Sequence, residues 1–368
     1  MSLPTAPRSI CILRLSALGD ATHVVPLLRT LRRAWPEVPI TWILGKGEAK
    51  LMEGLDGIEL LPFDKSAGWS GVRDLRRQLA GRRFDALLQM QLALRANVLS
   101  TFVHADRRIG YDRARSKEGH SLVINERIPA GGHHVLDVFG KFCQPLGLRQ
   151  DVIEWHLPVP EAARDWAAAQ LPGTQPTLLV SPCSSHALRN WRPERYAAVA
   201  DHAAAAGWRV VLSGGRSDLE RRTADAIQSA MQAPALDLVG KDTLKQALAL
   251  LERATLVLTP DSGPAHMANA MGTAVLGLFA CTDRERCGPY SDLRWSVDHY
   301  DAAARRFLGK PASAIGWGKR VEFPGVMDMI SVDEVIARFD AFLACDQGRA
   351  GTPRTPSSAP ASSDQLPL

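Results

Sequence analysis

The sequence has no closely spaced cysteine pair. Cys11, Cys143, Cys183, Cys281, Cys287 and Cys345 are scattered, and none falls in a C-x-x-C. That argues against a disulfide framework and against a structural zinc site, and leaves the cysteines of the apolar runs as small hydrophobes. Aromatic residues are few, 6% beside 46% hydrophobic residues, and no apolar run is long enough to cross a bilayer. The opening "MSLPTAPRSICILRL" reaches an apolar strand without a signal-type apolar region and cleavage site, so a cytoplasmic protein is expected. G-x-G-x-x-G and Walker loops are both missing, which disfavours a nicotinamide dehydrogenase. No repeat of solenoid period is present.

What is there is length and alternation. A chain of 368 residues suffices for two domains, each with its own core. Charge is uneven: residues 1–150 hold 22 Lys and Arg against 14 Asp and Glu, a net of +8, so the remainder carries −3 of the total +5. A basic first half suits an anionic partner, although solvated charge explains it equally. Strand-like runs at 10–15, 40–44, 85–90 and 108–111 alternate with helical segments, one of them from about Ala21 to Ala34. After a Pro-containing stretch at 156–176 the pattern restarts, with strands expected at 177–182, 208–214, 235–240, 256–260 and 274–279. Helices are expected at 192–206, 217–231, 243–253 and 263–271. Such alternation means parallel sheets covered on both faces, an α/β class with two doubly wound domains. We place these domains at 1–160 and 175–330, with a C-terminal helix over 331–345 and a disordered Pro/Ser/Ala-rich tail over 346–368. Ligands of such sheets bind beyond the carboxyl ends of the strands, so two facing sheets predict an interdomain cleft.

Four motifs lie just after strands. In "RLSALGDATHVVPLL", Asp20 follows a turn at Gly19, with Pro26 expected near the helix start. Asp20 either caps the helix or faces the ligand as a general base, and the roles compete because hydrogen bonds to a carboxylate lower its basicity. In "LVSPCSSHALRNWRPERYAAVA", the hydroxyls of Ser184 and Ser185 and the Arg189 guanidinium suit phosphate oxygens, or the loop is simply solvated. In "VVLSGGRSDLERRTADAI", Asp218 or Glu220 could receive ribose hydroxyls, or sit in the first turn favoured by the helix dipole. In "LTPDSGPAHMANAMG", Asp261 ends a strand, and Ser262 and Gly263 open a helix whose N–H groups attract phosphate.

Taken together, "RLSALGD", "SSHALRNWRPERY", "SGGRSDLE" and "TPDSGPAHMANAMGTAVLGLFACTDRERCGPY" closely resemble the glycosyltransferase family 9 heptosyltransferases, which build the inner core of bacterial lipopolysaccharide. The resemblance covers the chain to about residue 345. It implies the GT-B fold, two Rossmann-like domains with the acceptor held mainly by the first and the nucleotide sugar by the second. It implies inverting transfer of heptose from ADP-heptose, without a cofactor or a metal ion. By the same resemblance Asp20 is the base that deprotonates the acceptor hydroxyl. Ser184, Ser185 and Arg189 contact the donor diphosphate. Asp261, Ser262, Gly263 and His266 form the diphosphate- and sugar-contacting set, and Asp218 or Glu220 is the ribose-binding acid. Arg189 stands where the family usually has lysine, and Ala280-Cys281-Thr282 where it usually has G-P-T. An acceptor of lipid A–Kdo or heptosylated core would bring carboxylates and phosphates to the basic first domain. Arg95, Arg113, Arg115 and Lys117 are its candidate contacts, and a peripheral position on the inner membrane face is expected, with no nucleic-acid partner. The rival readings are a family 9 transferase with another nucleotide-sugar donor, a GT-B nucleotide-sugar epimerase, and a non-catalytic nucleotide-sugar or lipopolysaccharide-binding protein.

Overall fold

The structure, a computed structural model, describes residues 5–347 and 359–360. The chain divides into two compact units, Met1–Pro158 with Ser358–Leu368, and Val159–Ser357. In the first, β1 (Ile10–Leu13), α1 (Leu18–Ala34), β2 (Ile40–Gly45), α2 (Lys46–Met52), β3 (Ile58–Phe63), α3 (Gly68–Leu79), β4 (Arg83–Gln89), α4 (Leu94–Ser100), β5 (His104–Gly110) and β6 (Glu126–Arg127) alternate regularly. α5 (Val135–Gly140) and β7 (Val152–Ile153) complete it. The six strands run parallel in the order β3-β2-β1-β4-β5-β6. Every residue of β1 and β2 is buried, as central strands of a sheet covered on both faces must be.

The second unit begins with α6 (Glu161–Gln170) and continues β8 (Thr177–Val180), α7 (Pro193–Ala205), β9 (Arg209–Leu212), α8 (Asp218–Ala230), β10 (Leu236–Asp237), α9 (Leu244–Arg253) and β11 (Leu256–Pro260). Then follow α10 (Gly263–Ala270), β12 (Ala274–Phe279), α11 (Arg284–Cys287), β13 (Val297–Asp298), α12 (Tyr300–Leu308) and α13 (Val332–Gln347). Its parallel sheet has the order β10-β9-β8-β11-β12-β13, which repeats the first. In each unit the strand order reverses between the first strand and the fourth, at β1/β4 and at β8/β11. In open α/β sheets that switch point is where ligands bind.

Two helices depart from the sequence expectation. α1 starts at Leu18 rather than Ala21, which puts Asp20 inside the first turn and Pro26 in the helix interior. Hydroxyl side chains bond back to the helix on either side of it: Thr22 Oγ1 donates to the Gly19 carbonyl at 2.7 Å and Thr30 Oγ1 to the Pro26 carbonyl at 3.0 Å. α13 is no separate appendage but part of the second unit's core. Phe339 meets Trp208 edge-on at 5.0 Å, and Phe342 meets Trp295 at 5.2 Å. Residues 348–358 and 361–368 of the expected disordered tail lie outside the described residues. Ala359–Pro360, β14, pairs antiparallel with β7.

Candidate functional site

In the second unit the switch point gathers two of the motifs. The loop after β8 carries Ser184, Ser185 and Arg189, and the turn after the adjacent β11 carries Asp261, Ser262, Gly263 and His266. Arg189 Nη1 stands 3.7 Å from Asp261 Oδ2, and His266 Nε2 stands 3.7 Å from Asp261 Oδ1, with all three side chains largely buried. Burial alone would raise the Asp261 carboxyl. His266, Arg189 and Thr282 overcome it and hold the group below the usual carboxylate range, so Asp261 is an anion between two basic side chains. Ser262 is the N-cap of α10, but its hydroxyl turns to Thr259 Oγ1 at 2.8 Å and the helix has no side-chain cap. The backbone amides of the first turn thus keep the helix's positive end open toward an anion. Asn269 Oδ1, from the same helix, accepts from Ser291 N at 2.8 Å and fastens α10 to the Gly288-Pro289-Tyr290 turn.

A brace that the sequence reading passed over holds this constellation. Glu322 Oε1 accepts from Arg189 Nε at 2.7 Å, and His186 and Arg320 lie at 3.8 and 3.9 Å from the same oxygen. Trp191 Nε1 donates to the Ile330 carbonyl at 3.1 Å, and Arg192 forms a two-pronged pair with Asp328. Residues 322–330 therefore clamp the loop after β8. Inside it, Asn190 Oδ1 accepts from Ser184 N at 2.7 Å, and the Ser184 hydroxyl donates to the His186 carbonyl at 3.0 Å. Ser184 is buried and Ser185 exposed, so these two residues differ sharply in what they can offer a ligand. Asn190 Nδ2 is buried with no protein partner, a donor that a ligand oxygen in this loop could satisfy.

Asp218 and Glu220 separate cleanly. Glu220 closes a capping box with Ser217, and its Oε1 also accepts from Gly215 N at 2.6 Å. Asp218, at the first helical position of α8, is exposed. The nearby Asp242, in the loop before α9, is pushed up to about 6 by burial, with Glu220 adding to the rise and Arg216 opposing it.

In the first unit Asp20 lies just beyond β1. Its Oδ2 accepts from Arg14 Nη2 at 2.5 Å and from Ala17 N at 3.4 Å, so it braces the first turn of α1 while keeping nearly a third of its side chain exposed. Arg14 also donates to the Met90 carbonyl at 2.7 Å and lies over the Phe139 ring. Burial works against the Arg14 charge, but Asp20 and Tyr111 more than offset it, and its pKa is raised. A chain of amides extends from β4. Gln91 Oε1 accepts from Leu15 N, Gln89 donates to Asn97 Oδ1, and His120 Nδ1 approaches the same oxygen at 3.0 Å. Tyr111 N points at His120 Nε2, which fixes that nitrogen as the acceptor. Burial, then Arg127, lower His120 to about 4, so the ring is neutral.

Of the four residues expected to meet an acceptor, Arg95, Arg113 and Lys117 are exposed. Arg115 is not: it pairs with Asp112 and donates to the carbonyls of Gly131 and Gly132. Its guanidinium ties the loop that carries Arg113 and Lys117 to the segment before α5. Among the described residues, no group of three or more His, Cys, Asp or Glu side chains is arranged to hold a metal ion. No helix among them is long and apolar enough to cross a membrane.

Residues 72–308 match the family model of glycosyltransferase family 9 (heptosyltransferase). The chain is 37% identical over 334 residues to the lipopolysaccharide core heptosyltransferase OpsX of Haemophilus influenzae, covering 90% of this chain and 96% of that protein. Among solved structures it resembles the family 9 glycosyl transferase of Veillonella parvula, with a TM-score of 0.75 and 22% identity over 94% of this chain and 99% of that one. It also resembles the E. coli heptosyltransferase WaaC with ADP, with a TM-score of 0.68 and 17% identity over 91% and 99% of the two chains. These likenesses fix the fold as GT-B, with two Rossmann-like domains. The chain belongs to glycosyltransferase family 9, and the enzyme is a heptosyltransferase.

Proposed function

We propose that this enzyme transfers a heptose from ADP-heptose to the inner core of lipopolysaccharide, in its Kdo/heptose region, with inversion at the anomeric carbon. The observation that carries the reading is the cluster of Arg189, Asp261, His266 and the uncapped N-terminus of α10 at the β8/β11 switch point. It is built for an anionic ligand with a polar neighbour, as a sugar diphosphate is. Arg189 and the amides at Ser262 and Gly263 take the diphosphate, with Ser184 and Ser185 contributing from the adjoining loop. Asp261 and His266 flank the phosphate and the sugar. For the ribose, exposed Asp218 is the better acid, because Glu220 is committed to its capping box.

In the reaction the acceptor hydroxyl oxygen attacks the anomeric carbon as the bond from that carbon to the diphosphate oxygen breaks. The electron pair leaves with ADP, and the hydroxyl proton passes to Asp20. Arg189 and the α10 dipole meet the charge that grows on the leaving group, the task a divalent cation performs in many transferases. That role makes the chemistry independent of added metal. Arg95, Arg113 and Lys117 receive the acceptor's carboxylates and phosphates, with Arg115 holding their loop in place. The acceptor's lipid places the enzyme at the cytoplasmic face of the inner membrane as a peripheral protein.

The test is turnover of ADP-heptose with a Kdo-bearing acceptor in the presence and absence of chelator, with the new linkage assigned by NMR. The expected product has the anomeric configuration opposite to that of the donor, formed at the same rate with chelator. Turnover of another nucleotide sugar in its place would move the protein to a different donor class. Loss of turnover on chelation would contradict the role given to Arg189.

A further inference from the structure

Helices α3 and α4 cover one face of the first unit's sheet. Leu75 and Leu79 of α3 and Ala96 and Leu99 of α4 share a core cluster with Cys11 and Leu13 of β1. The Arg76 guanidinium of α3 lies over the ring of Phe102, two residues past the end of α4. A helix that buries one stripe this way should show solvent a polar face. These do not. Trp69, at the start of α3, is 84% exposed; Leu94 and Val98, on the outer side of α4, are 60% and 51% exposed. Leu122, 89% exposed, stands in the short 3-10 turn His120–Leu122. That segment is tied to α4 by Glu118, whose carboxylate accepts from Leu94 N and whose carbonyl accepts from Asn97 Nδ2. Four of the five large hydrophobic side chains exposed among the described residues thus belong to one face of one unit. Trp69 and Leu94 follow the carboxyl ends of β3 and β4, the edge of the sheet that also bears Asp20.

The same face is basic. Arg73 and Arg76 extend outward one and two turns beyond Trp69, Arg95 follows Leu94, and Arg113 and Lys117 are exposed on the loop before Leu122. Arg77 is paired with Asp74 at 2.7 Å. The carboxylate of Glu118 is turned to the Leu94 amide. An aromatic ring and aliphatic side chains on one face, interspersed with guanidinium groups, form the pattern of a surface that enters the headgroup layer of an anionic bilayer.

We propose that the outer face of α3 and α4, with Leu122, is the surface by which the enzyme docks on an anionic phospholipid membrane. Trp69, Leu94 and Leu122 insert at the headgroup level, and Arg73 and Arg76 bind lipid phosphates. Docking this way presents the Asp20 edge of the sheet to the bilayer, where a lipid-anchored acceptor stands. The inference extends the acceptor assignment above, but its deciding measurement, vesicle binding, needs neither donor nor acceptor.

The test is sedimentation of the full-length protein with vesicles of phosphatidylglycerol and phosphatidylcholine, and with vesicles of phosphatidylcholine alone, over a salt series. The expected result is binding to the anionic vesicles that weakens as salt rises. Trp69→Ser with Leu122→Ser should lower the vesicle partition by at least about ten-fold, and Arg73→Gln by about five-fold. All these side chains are exposed, so the thermal midpoints of the variants should match the parent's. Transfer to a delipidated, water-soluble acceptor should also stay at the parent's rate, which separates failure of docking from failure of the catalytic reading. Equal binding by parent and double variant would overturn the proposal. So would a concentration-dependent dimer abolished by the same substitutions without any vesicle binding, which would assign the face to a second copy of the chain.

Discussion

At the residue scale, the second unit's site depends on how one guanidinium is aimed. Arg189 sits between two carboxylates, with Glu322 at 2.7 Å and Asp261 at 3.7 Å. A lysine would offer a single point charge in this place. Arginine has a planar fork, and the partner at Nε decides where the Nη groups point. Glu322→Gln should therefore let the fork swing, raising the donor KM by about ten-fold while kcat changes little, as measured in steady-state assays with ADP-heptose. An unaltered donor KM would show that Arg189 is positioned without Glu322. Asp242 is the other residue with a measurable signature. Its folded pKa, raised to about 6, lies above the ordinary carboxyl value of 3.8, so the fold favours the protonated form. The penalty is absent below pH 4, grows as pH rises through 6, and stays constant above it. Allowing for its partial exposure, Asp242→Asn should stabilise the protein by about 1–2 kcal/mol at pH 8 and by nothing at pH 4. Thermal unfolding of the two proteins at both pH values checks the sign.

At the element scale, the starts of helices account for most of the candidate chemistry, and they do different work. α8 is closed by the Ser217–Glu220 box, a structural device. Ser217→Ala should cost about 1 kcal/mol in unfolding free energy. Donor affinity should be maintained if Asp218, rather than Glu220, meets the ribose, and a fall in affinity as large as that in stability would shift the role to Glu220. α10 has no such closure, so the amides of its first turn stay open to a ligand. The sequence made these starts visible, because Ser-x-x-Glu and Asp-Ser-Gly-Pro are local signals read within a few residues. Glu322 was not visible. It lies 133 residues from Arg189, in a stretch, "RVEFPGVMDMI", with no periodic pattern of its own. The Gln89–Asn97–His120 relay behind Asp20 was hidden likewise, since a buried amide network leaves no hydropathy pattern. Arg115 shows the converse error. Its place in a basic loop suggested a ligand contact, but the side chain is turned inward to Asp112. Charge counts cannot separate a guanidinium that binds a ligand from one that binds its own backbone.

At the scale of the whole molecule, two sheets of the same strand order each carry one group of candidate residues. The first unit carries Asp20 on the Arg14 brace, and the second carries the cluster of Arg189, Asp261 and His266. The duplication was legible as two series of alternating strands and helices. The affiliation of α13 was less so, because an amphipathic helix does not announce which core it completes; the Trp208–Phe339 and Trp295–Phe342 contacts settle it. With the proposed base in the first unit and the proposed donor grip in the second, each function can be lost alone. The most direct measurement is single-turnover transfer and ADP binding by the Asp20→Ala protein beside its parent. Removal of a general base should slow transfer by about 10²–10⁴-fold, with the ADP dissociation constant within about two-fold of the parent's. Transfer at close to the parental rate would leave Asp20 as a brace of the first turn of α1 and contradict the account.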